Sequence, residues 1–178
     1  MAMEKLALWE KLGGEDSLPA WEAIPDFGLY MDQVVTLLEQ YLAFLPEEGE
    51  RIVTSSAINN YVRLKIMPAP VKRKYYRVHL AYLLMILPMK QSIPIGDIPR
   101  ILPPGAEEDA VRAAYEEYAQ QFRKTAEFFN RQVGAVLREL EGSPNRSGLS
   151  RLALESVLIS SFARILAEQL IPLQEGEA

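Results

Sequence analysis

Residues 54–77 read TSSAINNYVRLKIMPAPVKRKYYR, a run with six Lys or Arg and no acid inside a 178-residue chain whose net charge is −5. Local and global charge have opposite signs. Counted by segment, residues 1–50 sum to −9, residues 51–100 to +8 and residues 101–178 to −4. A strongly basic middle in an acidic chain points to a polyanion, or to an acidic surface, as the partner of that middle. An acidic first segment packed beside the basic one would produce the same asymmetry.

Within the run, Thr54 is a good N-cap residue, and a short helix follows to about Leu64. At about 100° per residue, Ser56, Asn59, Asn60 and Arg63 share one arc, while Ala57, Ile58, Tyr61, Val62 and Leu64 share the opposite one. Pro68 and Pro70 stop the helix, and Val71 to Tyr76 reads as a basic loop or short hairpin. These are the parts that groove recognition needs. Ser, Asn and Arg can hydrogen-bond base edges, and Lys65, Lys72, Arg73, Lys74 and Arg77 can neutralise phosphates.

On either side of the run the pattern is helical. LYMDQVVTLLEQYLAFL, residues 29–45, sets Leu29, Val34, Leu37, Leu38, Tyr41 and Leu45 on one face before Pro46 and Gly49 end it. A shorter amphipathic piece, Glu4 to Leu12, precedes it in an N-terminal arm that holds Pro19, Trp21 and Pro25. Tyr76 to Gln91 reads as an apolar helix that Pro88 kinks or ends early, and residues 93–102 hold at most a short helix broken by prolines. Pro103-Pro104-Gly105 is the clearest break in the chain, so the sequence divides into an arm (1–26), a central domain (27–104) and a helical region (105–178). In the last of these, Val111, Tyr115, Tyr118, Phe122, Ala126, Phe129, Val133, Val136 and Leu140 form a stripe along one helix of roughly 50 Å. Residues 149–171 are apolar on nearly every side and are expected to be wrapped by other helices. They are too short to cover the whole stripe, which must fold back on the first domain or pair with a second chain. The fold class expected is all-α, with at most a tiny β hairpin.

Composition excludes several chemistries. With no cysteine, thiolate nucleophiles, disulfides and Cys-based zinc sites are ruled out. His79 is the sole histidine and lies within an apolar helix, which suits a structural or phosphate-contacting residue better than a catalytic base. Neither glycine-rich nucleotide motif is present, and the carboxylates cluster at helix starts and on solvated faces without metal-ligand spacing. The expectation is a protein that is not an enzyme, with no cofactor and no metal. Acids scattered through residues 1–25 argue against a secretory signal, and the apolar run Val78 to Met89 is short of the ~20 residues of a membrane helix, so a cytoplasmic location without membrane contact is expected. Tyr115, Tyr118, Phe122 and Phe129 could line an effector pocket, although their spacing suits ordinary core.

The segment I58-N-N-Y-V-R-L-K-I-M-P68 resembles the recognition helix of MerR-type winged helix-turn-helix regulators, and K74-Y-Y-R-V-H-L80 is similar to the segment that follows their wing. The resemblance implies a recognition helix in the major groove and a wing on the backbone. It sets Tyr61 and Arg63 on family tyrosine and arginine positions, Pro68 on the proline entering the wing and Tyr75 on the aromatic after it. It also implies that the long helix, residues 106–141, pairs two protomers. The chain departs from that pattern at Asn59, at Asn60, at Lys65 in place of a glycine, and in the long segment Pro46 to Val53 before the helix. IPDFGLYMDQVV, TSSAINNYVRLKIMPAP and KYYRVHLAYLLMI together look more like the bacterial domain-of-unknown-function family numbered 1836, over about Ile24 to Leu102. The reading that results is a dimeric, double-stranded-DNA-binding transcriptional regulator that uses Ser56, Asn59, Asn60, Arg63, Lys65, Lys72, Arg73, Lys74, Tyr75 and Arg77. Its rival is a protein-interaction module whose basic segment docks an acidic partner or the chain's own first 50 residues.

Overall fold

The apolar sequence VHLAYLLMIL cannot turn any side to water, so other elements must surround it. In the computed structural model, which describes residues 18–45, 53–139 and 146–176, it lies in helix α3 (Arg77–Met89), where every residue from His79 to Leu87 is buried. The other helices, in chain order, are α1 (Met31–Tyr41), α2 (Ser55–Arg63), the long α4 (Glu108–Glu139) and α5 (Arg146–Leu170). Short 3-10 turns lie at Trp21–Ala23, Ile98–Arg100 and Ile171–Gly176. The described residues contain no extended strand, only two isolated antiparallel bridges, Leu29 with Tyr75 and Val71 with Lys74. The all-α expectation holds.

Helix ends follow local chemistry. α1 starts two residues later than the periodicity suggests, because Leu29 exchanges backbone hydrogen bonds of 2.8 and 2.9 Å with Tyr75 and so cannot be helical. The Tyr30 N–H then donates to Gln33 Oε1 at 2.9 Å and closes the first turn. Pro88 falls in the last turn of α3, which continues only to Met89. The expected helix at residues 4–12 and most of the segment 46–53 lie outside the described residues.

The core does not stop at the expected boundaries. Leu18, Trp21 and Ile24 are buried, and the Trp21 ring packs against Tyr115 of α4 with centroids 6.1 Å apart. The Tyr115 hydroxyl donates to Pro19 O at 2.7 Å, and the Arg112 guanidinium bonds Glu22. At Pro103-Pro104-Gly105 the Tyr82 hydroxyl lies 2.5 Å from Pro103 O and 2.8 Å from Gly105 O, which anchors the turn to α3. Gly105 has φ +86°, a conformation that suits a residue without Cβ. This proline-glycine break is a turn within one core, and the arm belongs to that core as well. Tyr115 and Tyr118 are desolvated by it, which pushes both phenols above their ordinary value; Tyr115 is core, whereas Tyr118 is half-buried and also borders a cavity of about 320 Å³ with Met85, Met89 and Leu102.

The α4 stripe is used in part. Val111, Tyr115 and Ala119 are buried, Tyr118 and Phe122 pack at the margin, and Phe122 meets Phe44 at 5.3 Å. Beyond them the helix leaves the domain, and Phe128 is 48% exposed. The side chains at Val133, Val136 and Leu140 lie outside the described residues. α5 corrects the expectation that it would be wrapped, since its large apolar side chains from Leu154 to Leu170 are 47–69% exposed, apart from the half-buried Ile159. Among the described residues α5 is anchored at its C-terminal end, where Ile171 is buried and the final 3-10 turn meets Ile98–Arg100.

If one core runs from the arm into α4, Trp21→Ala should destabilise the protein by about 3–5 kcal/mol. Phe128→Ala, outside that core, should cost less than about 1 kcal/mol. Midpoints of urea unfolding for the two variants check both values.

Candidate nucleic-acid interface

α2 is short and needs both its ends secured. Thr54 Oγ1 accepts from the Ala57 N–H at 3.1 Å, as the sequence predicts for an N-cap. At the other end Ile66 N–H donates to Tyr61 O and Lys65 N–H to Val62 O, both at 3.0 Å, which is the Schellman pattern. That pattern requires a left-handed residue between them, and Lys65 takes it with φ 57°. Lys65 thus holds a conformation in which glycine is the usual residue. Ile58 and Tyr61 are buried and seat the helix on the core.

The opposite face carries the polar row. Ser56, Asn59 and Arg63 are exposed, and Asn60 is half-buried. Together with Thr54 and Ala57 they line a shallow groove of about 510 Å³. Arg63 Nη2 donates to Asn60 Oδ1 at 2.6 Å, which restrains the guanidinium along the helix. The Asn60 amide nitrogen and the rest of the Arg63 guanidinium carry further N–H donors, a set of the type that pairs with purine acceptors and phosphate oxygens. No described residue of the acidic first segment removes Ser56, Asn59 or Arg63 from solvent.

Seven residues on, Val71 and Lys74 exchange backbone hydrogen bonds of 3.0 and 2.9 Å across Lys72-Arg73. Both central residues have positive φ, 49° and 66°. This is a two-residue hairpin of the primed kind, for which Asn-Gly is the usual sequence. A cation with a Cβ at each left-handed position costs roughly 1 kcal/mol, so the tip holds its two charges against local preference. Lys72 and Arg73 are exposed.

The hairpin is held from behind by residues whose role the sequence did not reveal. His79 Nδ1 accepts from the Tyr76 N–H at 3.0 Å, so Nε2 carries the proton and donates to Ala69 O at 3.0 Å. One buried ring thereby fixes both flanks of the hairpin. Lys74 is half-buried with Nζ 5.4 Å from the Tyr30 ring centroid. Its stem lies across Gly28, where a Cβ would come within 2.8 Å of Lys74 Cδ and 3.0 Å of the Tyr76 ring.

Two expected contact residues face elsewhere. Tyr75 is 3% exposed and joins Leu29 through its backbone, so its ring is core. Arg77 donates from Nε to Ile24 O at 2.8 Å, lies 3.8 Å from Asp26 and stands over the Trp21 ring at 5.7 Å. Its guanidinium ties the arm to α3. The structure therefore leaves Ser56, Asn59, Arg63, Lys65, Lys72 and Arg73 exposed, with Asn60 and Lys74 half-buried beside them. Among the described residues no cluster of His, Asp and Glu could hold a metal ion.

The backbone strain yields a prediction of sign. Lys65→Gly and the double change Lys72→Asn with Arg73→Gly should each raise stability, by about 1 kcal/mol and about 1–2 kcal/mol. Higher urea midpoints at an unchanged slope would show it. His79→Ala should go the other way by about 2–3 kcal/mol, because it orphans the Tyr76 N–H and the Ala69 carbonyl.

Comparison with known proteins bears on the same region. Curated proteins and solved structures give no significant match. A family model, domain of unknown function DUF1836, matches residues 19–122. Those limits run from the arm to the point where α4 leaves the core, and so enclose α2, the hairpin and everything that supports them. This chain belongs to the DUF1836 family.

Proposed function

We propose that this protein is a transcriptional regulator that binds duplex DNA with the polar face of α2 in the major groove and the Lys72-Arg73 tip on flanking phosphates. The observation that carries the reading is the strained placement of cations. Lys65, Lys72 and Arg73 all occupy left-handed backbone that glycine or asparagine would fill at lower cost. Strain of that sort persists where the side chain serves a purpose the fold alone does not need. Beside it stands a helix face of restrained Asn and Arg donors, fit to read base edges. Pairing of two copies through the 106–141 helix would present two α2 helices to a two-fold-symmetric site.

Duplex binding followed by fluorescence anisotropy across a salt series tests this. Log K should fall linearly with log[salt], and Lys72→Ala with Arg73→Ala should flatten the slope by about two, at ~0.9 per phosphate contact. Arg77→Ala should leave the slope of the folded protein unchanged and lower its stability. Asn59→Ala or Arg63→Ala should reduce preference for a sequence selected from genomic fragments by about 1–3 kcal/mol, with little change on unrelated DNA. A slope indifferent to the tip overturns the hairpin contact. Absence of duplex binding, with retention of an acidic protein surface instead, would favour an interaction module.

A further inference from the structure

The backbone pair that anchors the hairpin also sorts its neighbours into two faces. Leu29 and Tyr75 exchange both backbone hydrogen bonds, and both side chains are buried. Tyr30 and Tyr76 are extended as well, with φ −82° and −114°. Side chains alternate along extended backbone, so Tyr30, Lys74 and Tyr76 share the outward face with Gly28. That face is aromatic and cationic. The Tyr76 ring closes over Gly28, where an added Cβ would stand 3.0 Å from it, and lies 6.3 Å from the His79 ring. The Lys74 stem crosses Gly28 and brings Nζ to 5.4 Å from the Tyr30 ring centroid. Both rings are thus supported by neighbours, yet Tyr30 remains 54% exposed and Tyr76 36%. Lys72 and Arg73 precede them at the exposed tip, and no acid occurs in residues 54–77.

We propose that Tyr30, Lys74 and Tyr76 form a stacking site for an unpaired nucleobase, with Lys72 and Arg73 on the phosphates beside it, so that the hairpin binds single-stranded nucleic acid. The chemistry selects that occupant. A supported, exposed ring offers a π face with little freedom left to lose, and an unpaired base on a phosphate backbone supplies the matching π face and the negative charge together. A duplex keeps its base faces covered by neighbouring pairs, so it can use the tip cations but not the rings. Small cations, which also seek aromatic clusters, are repelled by Lys74 between the rings. An acidic protein segment would satisfy the cations alone. The face of α2 takes no part in this site, so single-strand binding and duplex binding stand or fall separately.

Fluorescence anisotropy of the full chain with a short labelled oligothymidine tests it, against an abasic oligomer of equal length that keeps every phosphate. Oligothymidine should bind about tenfold or more tightly than the abasic oligomer. Tyr30→Ala with Tyr76→Ala should remove that margin, a loss of roughly tenfold to a hundredfold, whereas Tyr30→Phe with Tyr76→Phe should keep it. The alanine pair should leave duplex affinity unchanged, and Asn59→Ala should leave oligothymidine affinity unchanged. A second readout needs no variant to fold. An oligomer carrying 5-iodouracil, irradiated in complex with the wild type, should cross-link to Tyr30 or Tyr76, as located by mass spectrometry. Equal affinity for the abasic oligomer, a phenylalanine pair that loses the margin, or an alanine pair that keeps it would overturn the inference. So would an alanine pair that weakens duplex and single strand alike, or cross-links confined to other residues. Preference for polyglutamate over oligothymidine would overturn it too, since an acidic protein surface would then be the occupant.

Discussion

The fold depends on the burial of one helix. Nine consecutive residues of α3 are removed from water, and no sheet exists among the described residues to help cover them. The arm, α1, α2 and the first turns of α4 are therefore drawn in around it. At about 1.5–3 kcal/mol for each large apolar side chain buried, this wrapping dominates the favourable side of folding. The basic segment inherits its position from the same helix. Its entry turn contains His79, and that ring holds Ala69 on one side of the hairpin and Tyr76 on the other.

Rigid support gives the exposed cations their meaning. An unsupported Lys-Arg turn would relax out of left-handed backbone, because nothing local favours it. Here Leu29 clamps Tyr75, His79 clamps both flanks, and Gly28 leaves room for the Lys74 stem, so the tip is held in place by groups outside it. α2 is secured in the same way, by Thr54 at one end and the buried Tyr61 and Ile66 at the other. Both exposed elements rest on one core, so a ligand that spans them meets a surface with little freedom left to lose.

Much of this was legible in the sequence because it rests on local rules. Thr54 as a cap, the two faces of α2, the apolar circumference of α3 and the hairpin before it all follow from periodicity, capping and proline placement. The misreadings came from contacts distant in sequence. Resemblance places Tyr75 after the wing and charge places Arg77 among the phosphate contacts, yet one is clamped to Leu29 and the other reaches 53 residues back to Ile24. Pro103-Pro104-Gly105 looked like a boundary because local composition cannot show Tyr82 reaching its carbonyls. The exposure of α5 was illegible for the converse reason. An apolar helix implies a partner, but its own residues do not say whether the partner lies in the same chain.

The central claim is that the face of α2 and the tip at Lys72-Arg73 form one surface for duplex DNA. The most direct measurement is a titration of ¹⁵N-labelled full-length protein with a short duplex, followed by amide chemical shifts. The account predicts that the largest changes fall at Ser56, Asn59, Asn60, Arg63, Lys65, Lys72 and Arg73, with α5 unaffected. No change on addition of DNA, or changes that map to α5 and the outer part of α4 and spare those seven residues, would contradict it.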